Sequence, residues 1–118
     1  MAMQNRGGVT FIETPNFMRA IDAFKEPGLL LAIQEALLSN SNAGVQLKGG
    51  MRKARVPGLD RGKGKRGGYR VWYYYLIESE EGDIVFLLHI IDKTEKENIS
   101  AKDEAALVDM IKRMLASH

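Results

Sequence analysis

YRVWYYYLI, residues 69–77, is the most strand-like stretch of this 118-residue chain. Aromatic and β-branched residues fill it with apolar side chains on both faces, so it belongs in the middle of a sheet covered on both sides. ESEEGD (78–83) reads as a hairpin turn and IVFLLHII (84–91) as the next buried strand, which predicts an antiparallel pair. On the other side of 69–77, RKARV (52–56) reads as a short strand with Lys53 and Arg55 on one face and Ala54 and Val56 on the other. Pro57-Gly58 closes it, and Asp60 to Gly68 is too rich in glycine and charge for regular structure.

The flanks supply helices. Val9 to Glu13 reads as a first short strand, and Thr14-Pro15 as an N-cap with proline at the first helical position. Phe17, Ala20, Ile21 and Phe24 then share a helical face, and Leu30, Ile33, Ala36 and Leu37 form a second stripe after Pro27-Gly28. These two helices make a hairpin whose apolar side needs the sheet as its partner. Ser39 to Gly44, SNSNAG, is a stop. After the charged link TEKEN, Ser100 with Asp103 resembles a capping box, and Leu107, Met110, Ile111, Met114 and Leu115 repeat at helical spacing. Residues 1–8, polar and glycine-containing, are expected to be a disordered lead-in, with one domain over 9–118.

Composition bounds the function. A 45% hydrophobic content suits one globular core. No apolar run approaches the roughly 20 residues of a membrane span, and MAMQNRGG lacks the apolar stretch of a secretory signal, so a cytoplasmic location and no membrane partner are expected. Without cysteine there is no disulfide and no thiolate nucleophile. His89 and His118 are too few for a histidine metal cage, and neither a metal nor a cofactor is expected.

The net charge of +2 conceals two opposite regions. Between Lys48 and Arg70 stand nine bases (Lys48, Arg52, Lys53, Arg55, Arg61, Lys63, Lys65, Arg66, Arg70) against the single acid Asp60, a net +8; the other eight bases face fourteen acids, a net −6. Concentrated positive charge beside aromatic residues is what a nucleic acid selects. RGKGKRGG is not a nucleotide phosphate loop: glycine and lysine are wrongly spaced, no Ser or Thr follows the lysine, and a strand comes next.

Taken together, GGMRKARVPGLDRGKGKRGGYRVWYYY and the later FLLHIIDKTEKENIS resemble the RelE/HigB superfamily of type II toxin–antitoxin toxins, particularly its HigB-like branch. The shared pattern is GG-x-R-K-x-R, a glycine–lysine loop, GG-x-R-hydrophobic-x-Y-Y, and a strand ending in K-x-E-K-E-[ND]-[IL]-S, over roughly residues 45–100. The resemblance implies an α+β, RelE-like fold: a small, mainly antiparallel sheet with an N-terminal helical hairpin and a C-terminal helix. It also implies a ribosome-dependent mRNA endonuclease, with ribosome, mRNA and a cognate antitoxin as partners.

Such chemistry has definite needs. The RNA's own 2′-hydroxyl attacks the adjacent phosphorus, so the protein supplies a base, positive charge on the phosphorane and a proton for the leaving 5′-oxygen. No metal is obligatory. Carried over from the family pattern, Arg70 is the first choice for transition-state stabilisation, and Lys93 for base or acid. Lys53 and Arg55 join them as catalytic candidates. Arg52, Arg61, Lys63, Lys65, Arg66 and Tyr74 are the RNA-binding candidates. Relatives often carry a tyrosine two residues before the strand-end lysine; here that position is Ile91. His89 shares its strand parity but lies about 13 Å from Lys93 at roughly 3.3 Å per residue, too far to share a proton. Two rivals remain: a catalytically inactive RelE-fold protein that binds RNA or an antitoxin, which Ile91 favours, and a basic DNA-binding domain. The second lacks a recognition helix carrying the bases.

Overall fold

In the computed structural model, which describes residues 2–39, 44–57, 68–76 and 82–117, β5 (Tyr69–Leu76) sits inside a six-stranded sheet. The strands run β1 (Ala2–Arg6), β2 (Val9–Glu13), β6 (Asp83–Asp92), β5, β4 (Met51–Val56) and β3 (Val45–Gln46), in that spatial order. Every pairing is antiparallel except the parallel β2–β6 contact. Helices α1 (Pro15–Asp22) and α2 (Leu29–Ser39) cover one face, and α3 (Ala101–Ser117) lies on the other. This is the α+β arrangement expected from sequence, a mainly antiparallel sheet between a helical hairpin and a C-terminal helix.

Each face has its own apolar cluster. Phe11, Ala54, Val56, Tyr69, Val71, Tyr73, Val85, Leu87 and Ile90 point toward Phe17 of α1 and Leu29, Ile33 and Leu37 of α2. The alternate positions Ile12, Met51, Trp72, Ile84, Phe86, Leu88 and Ile91 meet Leu107 and Ile111 of α3, with Ile99 ahead of that helix. β5 contributes to both, which is why it shows no clean alternation.

The helix starts follow the sequence closely. Thr14 caps α1, its Oγ1 accepting from the Phe17 N–H at 3.2 Å and donating to the Leu87 carbonyl at 2.9 Å. One side chain thereby begins the helix and pins it to β6. Ser100 caps α3, accepting from the Asp103 N–H at 3.0 Å.

The expected disordered lead-in is instead a strand. β1 forms a hairpin with β2 through the two-residue turn Gly7–Gly8, both at positive φ as the tightest hairpins require. Its polar residues are bonded rather than idle. Gln34 of α2, fully buried, accepts from Arg6 Nε at 2.5 Å and donates to Gln4 Oε1 at 2.5 Å.

One irregularity in the central pair sets which side chains reach α3. Trp72 lies opposite His89 and Tyr73 opposite Leu87, so Leu88 is an extra residue on β6. This bulge turns both Leu88 and His89 to the α3 side and restarts the alternation, giving Ile90 to the helical-hairpin core and Ile91 to the α3 core.

Candidate active site

β4 and β5 bring three of the sequence-derived cations together. In their ladder Arg55 stands opposite Arg70 and Lys53 opposite Trp72. Directly opposed residues have Cβ atoms about 4.5–5.5 Å apart, and alternate residues along a strand are about 7 Å apart. Lys53, Arg55 and Arg70 therefore form one small triangle on the α3 side. Two arginines face to face across a ladder repel each other, which costs stability unless an anion sits between them.

The third strand adds Lys93. The β5–β6 ladder runs one step past Asp92, with the Lys93 N–H donating to the Gly68 carbonyl at 3.0 Å. Alternation from Ile91, which pairs with Arg70, gives Lys93 the side that Arg70 occupies. Lys93 and Arg70 are both half-buried, whereas Arg55 is exposed. Arg70 is anchored from the segment after β6, its Nη1 donating to the Glu97 carbonyl at 2.7 Å. That bond uses one of five guanidinium N–H groups and leaves the others to turn toward a ligand.

α3 borders this cluster of cations on its inner side. Glu104, in its first turn, accepts from the buried Trp72 Nε1–H at 3.0 Å, and the same oxygen lies 4.0 Å from Lys53 Nζ. An ion pair so near the surface contributes about 0.2–1 kcal/mol, so its consequence is orientation more than stability.

Other candidates fall elsewhere. Arg52 points to the opposite side of β4, where Nη2 donates to the Gly44 carbonyl at 3.3 Å and the guanidinium hydrogen-bonds Tyr73. Burial pushes the Tyr73 phenol upward, and the bond and charge of Arg52 pull it partly back. Tyr74 shares a face with Arg70 but lies about 13 Å along the strand at roughly 3.3 Å per residue. It packs on Phe86 with ring centroids 6.3 Å apart. Arg61, Lys63, Lys65 and Arg66 lie outside the described residues, as do most of the glycine–lysine loop and the turn after β5.

His89 is placed as a neutral ring. Asn16 Nδ2 donates to the Leu88 carbonyl at 2.8 Å, and its second N–H faces His89 Nδ1 at 3.1 Å. Nδ1 therefore accepts and the proton sits on Nε2. Burial lowers the His89 pKa from 6.5; Asp103 pulls it back up, and Lys96 lowers it further. The ring rests beside Trp72 at a centroid distance of 5.9 Å.

Motif reading missed Glu104 and the Glu97 carbonyl. The first was hidden because acids in the first turn of a helix are explained by its dipole. The second is a backbone atom with no sequence signal.

The model for the RelE toxin of RelE/RelB toxin–antitoxin systems matches residues 14–118. The chain belongs to the RelE toxin family. It is thus the toxin of a toxin–antitoxin pair, a family that implies a cognate antitoxin and whose members are generally endoribonucleases. In this RelE-family toxin the match begins at the α1 cap and takes in β4, β5, β6 and α3, the elements that carry the cation cluster and its border. Among the described residues, no helix is long and apolar enough to cross a membrane.

Proposed function

We propose that this toxin cleaves mRNA on the ribosome, in the cytoplasm, and that it belongs to the HigB-like branch its sequence resembles. The observation that carries this reading is the Lys53–Arg55–Arg70 triangle on one face, with Lys93 at the end of the adjoining strand. An RNA backbone phosphate laid over it meets two guanidinium groups, whose forks match its oxygens and remain charged. The 2′-hydroxyl attacks the neighbouring phosphorus while Lys93 takes its proton. Arg70 and Arg55 stabilise the phosphorane, and the Lys53 ammonium, held beside Glu104, gives a proton to the departing 5′-oxygen. The products are a 2′,3′-cyclic phosphate and a 5′-hydroxyl end. Arg61, Lys63, Lys65 and Arg66 fit contacts to the ribosome or message, with affinity that falls steeply as salt rises. The antitoxin inhibits by covering this basic face or by blocking entry to the ribosome.

One observation favours a second reading, a toxin fold that binds RNA without cutting it. The position where relatives often carry tyrosine is Ile91, which is 7% exposed and lies opposite Arg70 within the α3-side core. No hydroxyl is available there. Mapping new 5′-hydroxyl ends on message in translating ribosomes separates the two. Discrete ends that vanish with Arg70→Ala support the nuclease, and bound ribosomes with intact message support the binder.

A further inference from the structure

We infer that Glu104 is the positioning residue for Lys53, delivered by α3 and locked by Trp72. The inference rests on the reading of Lys53 as part of the cleavage site, but its geometry stands apart from that reading. Trp72 has no solvent exposure, is flanked by the His89 ring, and is the cross-strand partner of Lys53. Its indole N–H is therefore fixed by packing. That N–H donates to Glu104 Oε2 at 3.0 Å, which fixes the carboxylate, and the same oxygen faces Lys53 Nζ at 4.0 Å. Rigidity passes from a core ring to a carboxylate, and from there to a flexible amine.

The arrangement answers a specific difficulty. Lys53 sits one alternate position from Arg55, which opposes Arg70, so a free ammonium is driven outward by its neighbours. A carboxylate on the inner side counters that push. At 4.0 Å the contact directs the ammonium without consuming its three donors, which stay available to RNA. Helix capping does not account for Glu104. Ser100 is the cap, its Oγ accepting from the Asp103 N–H, while Glu104 comes one residue later and points across to Trp72.

The test uses Glu104→Gln in the full chain, because glutamine keeps an oxygen for the indole N–H and removes only the charge. The melting temperature and Trp72 emission should match the unaltered protein. The single-turnover cleavage rate on translating ribosomes should fall about tenfold, with half-saturation unchanged, as for a misplaced catalytic group. In a Lys53→Ala background, Glu104→Gln should cost nothing further. Unaltered cleavage by Glu104→Gln, or an equal loss with and without Lys53, would overturn the assignment. The indole N–H resonance of Trp72, the chain's one tryptophan, gives an arm that needs no catalysis. Lys53→Ala should move that resonance and Arg55→Ala should not. A resonance indifferent to Lys53 also overturns the assignment. One that moves in a toxin that does not cleave supports the linkage and removes the nuclease reading instead.

Discussion

Two helices, α1 and α2, cover one side of the sheet, whereas on the other, among the described residues, α3 covers the inner part and the short segment after β6 meets the Arg70 end. The same strands line both. On the helical-hairpin side, Ala54, Val56, Tyr69, Val71, Tyr73, Val85 and Leu87 are apolar or aromatic, and the cation Arg52 is bonded to Gly44 and Tyr73. On the α3 side, the half-buried positions of Lys53 and Arg70, which a fold built only for stability would fill with apolar residues, carry cations, and the exposed Arg55 adds a third. The contrast separates what holds the chain together from what it does. Concentrating packing on one face makes room on the other for a row of mutually repelling charges.

Substitutions should therefore divide by face. The largest effect on stability is expected from Leu87→Ala, fully buried among the strand residues that meet α1 and α2. It should cost about 2–5 kcal/mol, a large share of a small domain's stability, and urea denaturation should show it as a lower midpoint. Arg70→Ala should do the opposite. Cleavage should fall about 10²–10³-fold, growth arrest on expression should be relieved, and the denaturation midpoint should barely move. If Arg70→Ala unfolded the protein, the division between the faces would be wrong.

A third substitution probes the seam where α3 docks. Gly49, in the 3-10 turn Lys48–Gly50 before β4, has φ +71, and a Cβ there would lie 2.7 Å from Val108 Cγ1 of α3. Gly49→Ala should cost about 1–3 kcal/mol through backbone strain and the displaced valine. It should also change Trp72 emission, because α3 carries Glu104 to the indole. A stability loss with unchanged emission would mean that the first turn of α3 is held without the contact at Val108.

How much of this was readable beforehand follows the same division. β5, β6, the Thr14 cap and the α3 stripe were legible because each rests on local rules: aromatic and β-branched content, a capping hydroxyl, apolar spacing. Lys53 and Arg55 were assigned to one face because alternation along a strand is local too. β1 was not legible. Its residues are polar, and their side chains are tied down by Gln34, roughly thirty positions away, although Gly7–Gly8 was a signal of the hairpin with β2. Arg52 looked like another cleft residue because charge says nothing about a partner across the sheet. Glu104 was invisible for the same reason, since what defines it is a contact between α3 and β5.

The smallest expected effects lie in pH, and they have opposite signs on the two faces. Glu13 continues the Val9–Phe11 alternation on the helical-hairpin side, and its pKa is raised by burial and then by Asp22. A carboxyl held above its unfolded value near 4.5 gives stability that is full below that pH and lost as pH rises through the folded value. His89, beside Trp72 on the α3 side, is lowered by burial against 6.5, so its contribution is full above that pH and declines as pH falls below it. Glu13→Gln should therefore raise the denaturation midpoint at neutral pH and leave it unchanged well below pH 4.5. His89→Gln should flatten the decline that begins just below pH 6.5. Midpoints recorded for both variants across acid and neutral pH check the two signs independently. A gain from Glu13→Gln confined to acid pH would mean that Glu13 is held ionised by a favourable partner, and the hairpin side would then carry a buried charge as the α3 side does.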